Sequence, residues 1–171
     1  MDFLELAKAR YSVRKFSDKP IEQEKLDKIL EAARVAPTAH NYQAYRVYVL
    51  QSPEALEKIR ALSRCAFNAP VVLMVTYRKD EEWINPFEHG IRSGEQDASI
   101  VGTHMMMEAW DLGIGSCWVN FLPVSKTADT FELKDNEVPL FLLPIGYPAE
   151  GARPAHLHDE RRSNEELVKV L

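Results

Sequence analysis

Asp97-Ala98-Ser99-Ile100-Val101-Gly102-Thr103-His104-Met105-Met106-Met107-Glu108-Ala109-Trp110-Asp111-Leu112-Gly113-Ile114-Gly115-Ser116-Cys117-Trp118-Val119-Asn120 reads as a long helix running directly into a strand. From Ala98 to Leu112 nearly every residue is apolar or small. The strongly polar exceptions, His104, Glu108 and Asp111, recur at i, i+4 and i+7 and so form one narrow stripe. A surface helix shows the reverse proportion, an apolar stripe beside a broad polar face. The helix must therefore bury most of its circumference, yet it is too short and interrupted for a bilayer, which needs about 20 apolar residues. The core of a 171-residue chain can wrap a helix only so far. One face is thus expected on the chain's own sheet and another on a partner subunit, with Met106 pointing outward. Gly113 is a natural helix stop, and small Gly115 lets backbone approach something flat or bulky. A strand over Cys117–Phe121 follows.

Composition bounds the rest. The length suggests one domain, residues 1–171, and 46% hydrophobic with 27% charged residues is ordinary for a globular chain. A net charge of −5, with no basic stripe among exposed aromatics, argues against nucleic acid as a partner. The first residues, Met1-Asp2-Phe3-Leu4-Glu5, carry no signal-peptide pattern. Cys65 and Cys117 lie far apart and offer neither a disulfide framework nor metal spacing. A cytoplasmic home away from membranes is expected.

Asp2 to Ala9 reads as a short helix. In Arg10-Tyr11-Ser12-Val13-Arg14-Lys15-Phe16, an extended backbone would project Arg10, Ser12 and Arg14 to one side. Two guanidiniums and a hydroxyl there make either an anion cradle or a solvated basic linker. Pro20 opens a second helix with Leu26, Ile29, Leu30 and Ala33 on one face. Ala36-Pro37-Thr38-Ala39-His40-Asn41-Tyr42-Gln43 is a polar loop before a strand at Tyr45–Gln51. Ser52 caps a third helix that starts at Pro53. Val71–Val75 reads as a central strand, and Arg78–Gln96 as a charged connection in which Trp83 and Phe87 could serve a lid. Val124–Leu133 reads as a helix, Val138–Ile145 as a buried strand, and Ser163-Asn164-Glu165-Glu166 as a capping box starting a helix to Leu171. About four strands and six helices, mixed in order, indicate α+β or α/β.

Catalytic side chains do not assemble in this pattern. His156-x-His158 with Asp159 lacks a third ligand at a telling distance, so no metal is expected. The chain has no Walker loop, Gly-x-Gly-x-x-Gly or Gly-x-Ser-x-Gly. Chemistry carried by a cofactor, with the protein binding and orienting it, is the consistent alternative.

Four separated stretches together resemble the FMN-dependent nitroreductases. Arg10–Phe16 is similar to the family's opening phosphate signature, and Ala36–Gln43 to the loop that reaches the flavin of the other subunit. Leu112–Asn120 is similar to the segment along the isoalloxazine edge. Arg161-Arg162 resembles the basic pair that closes on the phosphate. The chain looks like a short member, with Gln43-Ala44-Tyr45 where the family usually has Gln-Pro-Trp and Asn120 where some relatives carry glutamate.

The resemblance implies an α+β, three-layer fold: a central, mostly antiparallel sheet flanked by helices, in an intertwined homodimer with two FMN sites at its interface. It also implies that Arg10, Tyr11, Ser12, Arg14, Arg161 and Arg162 hold phosphate and ribityl, and that Pro37, Thr38, Ala39 and Asn41 come from the partner. Trp118, Val119 and Asn120 would offer backbone groups to the ring, with Gly146 and Tyr147 near. The implied activity is ping-pong oxidoreduction, with NADH or NADPH as donor and a nitroaromatic, quinone or similar flat molecule as acceptor. Flavin N5 rather than a side chain carries the hydride. Reductive dehalogenation, flavin breakdown, or a flavin-binding redox sensor without turnover are the competing readings.

Overall fold

The computed structural model describes residues 2–171, so Met1 of the N-terminal reading lies outside the described residues. In order the elements are α1 (Phe3–Ala9), α2 (Gln23–Arg34), β1 (Tyr45–Leu50), α3 (Pro53–Leu62), β2 (Val71–Arg78), α4 (Gly94–Asp111), β3 (Gly115–Ser116), α5 (Val124–Thr130), β4 (Glu137–Gly146) and α6 (Asn164–Leu167). Single 3-10 turns occupy Ala39–Asn41 and Arg64–Ala66.

The four strands form one antiparallel sheet in the order β1-β2-β4-β3. Alternation along its central strands decides the layers, because successive side chains leave opposite faces. Val71, Leu73, Val75, Phe141, Leu143 and Ile145 face one core with α2 and α4. Val72, Met74 and Leu142 face the other core with Leu56 and Ile59 of α3. The result is helix, sheet, helix, the α+β three-layer arrangement expected from the resemblance.

Helix α4 buries Ala98, Val101, Gly102, Met105 and Ala109 against the sheet. At Gly102 a Cβ would collide with the Phe141 and Trp118 rings, so only glycine lets the helix pass there. The helix stops at Gly113, whose φ of 76° is left-handed. Met106 corrects the expected register, being half-buried against the core, while Met107 lines an open groove of about 770 Å³ with Phe3, Leu6, Ala32 and Val35. Thr103, His104, Glu108 and Asp111 share this face, so the predicted polar stripe borders an apolar trough.

Several boundaries shift for identifiable reasons. The charged connection is shorter than expected because α4 begins at Gly94, whose N–H donates to the buried Glu82 carboxyl at 3.0 Å. Arg92 binds the other oxygen of Glu82 at 2.9 Å. The strand expected over Cys117–Phe121 is reduced to Gly115–Ser116 plus a lone Val119–Leu142 pair. Pro144 explains the break: its carbonyl accepts from Cys117 N–H at 3.2 Å, but it has no N–H to return. The terminal helix ends at Leu167, and Ser163 makes no side-chain cap. An isolated helix is marginal below about 12–15 residues, and here every residue from Glu160 to Leu171 is exposed. Ser52, by contrast, caps α3 as expected, accepting from Ala55 N–H at 3.2 Å.

Candidate functional site

The segment Arg10–Ser17 lies along the outer edge of β3 and the end of β4. Val13 N–H donates to Ser116 O at 2.9 Å, and Ser17 N–H to Tyr147 O at 2.9 Å. This extended run buries Val13 completely and turns Arg14 outward. A small pocket of about 210 Å³ opens beside it, lined by Tyr11, Ser12, Arg14, Ala155, Leu157 and His158. Tyr11 is held from behind by Trp110, edge to face at 5.1 Å.

Four observations gather positive charge here. Burial lowers the pKa of Arg10 most, and the nearby charge of Arg161 acts in the same direction. Burial likewise pushes the Cys117 thiol up, against the opposing pull of Arg14, Ser12 and Arg10. Arg161 folds onto its own loop, donating to Glu160 O at 2.7 Å. Among the described residues Arg10, Arg14 and Arg161 form no ion pair with a carboxylate, as is also true of Arg60, Arg64, Arg153 and the exposed Arg162, whereas Arg34, Arg46, Arg78 and Arg92 do. A cluster of guanidiniums without counter-charge is suited to a phosphate, which Arg grips by forked, charge-assisted bonds. The buried Ser116 hydroxyl beside them also has no partner. The donor set thus fits the phosphate end of a nucleotide-like cofactor.

Beyond the part of β3 that Ser12 and Val13 cover, the strand edge is open at Trp118 and Asn120. Val119 is unavailable there, because its N–H and C=O both bond Leu142, at 2.9 and 2.8 Å. Its N–H is therefore spent within the sheet and is not free to meet a ring. The N–H groups of Trp118 and Asn120 have no backbone acceptor among the described residues.

Pro37–Asn41 stands elsewhere. Asp97, in the first turns of α4 and 3% exposed, accepts from Ala39 N–H at 2.9 Å and clamps the loop. His40 and Asn41 are held at φ of 50° and 56°, with His40 stacked on Trp83 at 6.0 Å. The loop thus sits by the start of α4 and Arg10–Tyr11 by its end, roughly 20 Å apart at about 1.5 Å per residue. One subunit does not bring the two sets together.

Gly146 is enclosed between Pro70 and Phe16. The Tyr147 hydroxyl receives Lys25 Nζ at 2.9 Å and donates to Glu22, so it ties α2 to the end of β4. Neither lines the pocket at Arg14. Asp97 and Glu82 are positioning residues that sequence reading missed. The available signal for Asp97 was a lone acid entering an apolar helix. Asp97→Ala should release the clamp, and amide exchange at Ala39 should accelerate about 10- to 100-fold, the scale of a charged hydrogen bond.

The nitroreductase family model matches residues 7–68 and 62–147. A Methanothermobacter thermautotrophicus protein, provisionally described as NADH dehydrogenase/NAD(P)H nitroreductase, is 31% identical over 169 residues, covering 95% of this chain and 85% of its own length. A Staphylococcus aureus NADPH-dependent oxidoreductase is 27% identical over 161 residues, which take in 85% of this chain but only 64% of that protein. A crystal structure of a nitroreductase family protein from Clostridium difficile superposes with a TM-score of 0.92 at 36% identity, covering 99% and 98% of the two chains. An Exiguobacterium sibiricum structure determined in complex with FMN superposes with a TM-score of 0.85 at 21% identity, covering 100% and 98%. No helix among the described residues is long and apolar enough to cross a membrane.

Proposed function

The chain belongs to the nitroreductase family, and on that premise we propose that it is an FMN-dependent oxidoreductase working as a homodimer. It takes electrons from NADH or NADPH and delivers them to a nitroaromatic, quinone or similar flat acceptor. The observation that carries this reading is the split site. An uncompensated arginine cluster lies at one end of α4, and the clamped polar loop at the other. Two copies arranged head to tail along α4 would bring one subunit's arginines to the other's loop.

When bound, FMN supplies two-electron hydride exchange. The chain's own residues bind and orient. Arg10, Arg14, Arg161 and Arg162 would hold the phosphate, with Tyr11 and Ser12 toward the ribityl. The N–H groups of Trp118 and Asn120 would meet the ring edge, and the partner's Pro37, Thr38, Ala39 and Asn41 would close the other side. Gly146 and Tyr147 would support from behind the β4 end. The exposed tail Val168–Leu171 and the unpaired edge of β1 favour an intertwined dimer, in which each tail adds to the partner's sheet. Two free cysteines suit a reducing, cytoplasmic location.

A single slot over the ring would admit NAD(P)H and acceptor in turn, since each must come within about 3–3.5 Å of the reacting atom. Double-reciprocal plots of NAD(P)H oxidation at several fixed quinone concentrations should therefore be parallel. Intersecting lines would reject the shared slot. The absorption spectrum of the purified protein tests the broader reading: a colourless chain that takes up no added FMN would remove it.

A further inference from the structure

Trp118 is immobilised from three sides. Its ring stacks on Phe141 at 3.7 Å between centroids and 21° between planes, and α4 passes directly over both at Gly102. Its indole N–H donates to the side-chain oxygen of Asn120 at 2.5 Å. That bond decides the amide's orientation, because an indole nitrogen can only donate and must meet Oδ1 rather than Nδ2. Strand alternation sends Cys117 and Val119 to the α3 core and Trp118 to the α4 side, and Asn120 follows Trp118. Asn120 is exposed, and its Nδ2 has no hydrogen-bond acceptor among the described residues. A rigid stack thus ends in a fixed pair of N–H donors at the open strand edge.

Resting on the flavin-site reading above, we infer that the Asn120 side-chain amide is a specificity-determining donor that selects acceptors bearing an oxygen. The nitro group, the quinone carbonyl and the enone carbonyl share this feature. Each takes two electrons and two protons, one proton arriving with the hydride and one from water: the enone becomes a saturated ketone, the quinone a hydroquinone, and the nitro group a nitroso group with loss of one water, the acceptor's oxygen gathering negative charge in each case. The amide donates a hydrogen bond to that oxygen but transfers nothing. Its place in this mechanism is recognition, and an uncharged donor does so at any pH the fold tolerates.

The test needs no turnover. Oxidised, FMN-saturated protein is titrated without NAD(P)H, using 4-nitrotoluene and 4-isopropyltoluene, which carries two methyl groups in place of the two nitro oxygens and no acceptor at all, and binding is read from the flavin absorbance. The parent chain should bind the nitro compound about fivefold more tightly, the scale of one neutral hydrogen bond. Asn120→Asp keeps an oxygen for the Trp118 indole and replaces the donor by an acceptor, so the preference should reverse. Trp118→Phe keeps the stack but frees the amide to turn, and the ratio should fall to about twofold. An unchanged ratio in the Asp variant, or no binding of either compound, overturns the inference while leaving the flavin site intact. A prior titration with FMN alone separates the two levels, because a parent chain that binds no FMN overturns both.

Discussion

The Arg10→Ala, Arg14→Ala double variant is expected to hold FMN at least about a hundredfold more weakly than the parent chain. Each charge-assisted bond from a guanidinium to phosphate contributes roughly 1.5–3 kcal/mol. The two arginines share one pocket, so their losses couple, and about 3 kcal/mol is the conservative total. At 1.4 kcal/mol per tenfold, that gives the hundredfold. The fold should not suffer, since Arg14 is exposed, Arg10 is half-buried, and neither pairs with a carboxylate among the described residues. Relief of repulsion with Arg161 should, if anything, raise the melting temperature of the cofactor-free protein. Riboflavin is the discriminating control, because it has the same ring and no phosphate. The parent should prefer FMN over riboflavin by at least that factor, and the double variant should keep only the smaller preference that Arg161 and Arg162 can still supply. Equal loss of both ligands would mean that the arginines support the ring, and tight FMN retention would move the phosphate elsewhere.

That segment also marks what local pattern can reveal. Arg10–Arg14 alternates, and alternation alone led to Arg10, Ser12 and Arg14 on one side if the segment was extended. The all-apolar Val71–Val75 run led to a central strand, and the apolar girth of α4 to a helix wrapped on more than one side. These are readings of period, which the chain carries in itself. The misses share another cause. Glu82 caps α4 from 12 residues upstream. Asp97 clamps a loop 58 residues away. Pro144 breaks a strand that lies well before it in the chain. Such bonds link residues whose spacing follows no period, so nothing in a local window marks them. The Trp118–Asn120 bond is short in sequence but depends on Phe141 and Gly102 to hold the indole still, and was hidden for the same reason. The terminal helix erred in the opposite direction: the Ser163-Asn164-Glu165-Glu166 pattern reads as a cap, but Ser163 forms none and every residue from Glu160 to Leu171 is exposed.

The second large effect concerns assembly, and Met107→Glu is the variant that exposes it. The trough between α1, α2 and α4 leaves Phe3 72% and Val35 62% exposed, with Met107 on its floor. An apolar surface of this kind rimmed by Lys28, Glu31, Glu108 and Asp111 is what a subunit contact looks like before it closes. The parent chain should sediment as a dimer at low micromolar concentration with or without FMN. Burying an unpaired carboxylate at the contact costs several kcal/mol; Glu108 and Asp111 on the same face repel it, and Lys28 on the rim is already paired with Glu24. Met107→Glu should therefore weaken the dimer about a thousandfold and sediment as a monomer, while Met107→Leu, which conserves apolar volume, should remain dimeric. The consequence for the cofactor separates this account from a simple loss of packing. The arginine cluster stays whole in the monomer, but the clamped loop that would complete it belongs to the other copy. FMN affinity should then fall with dissociation and return when protein concentration is raised, whereas the arginine double variant should stay dimeric and not recover. A parent chain that remains a monomer at these concentrations yet binds FMN tightly would show that one subunit suffices, and the split between the two ends of α4 would need another explanation.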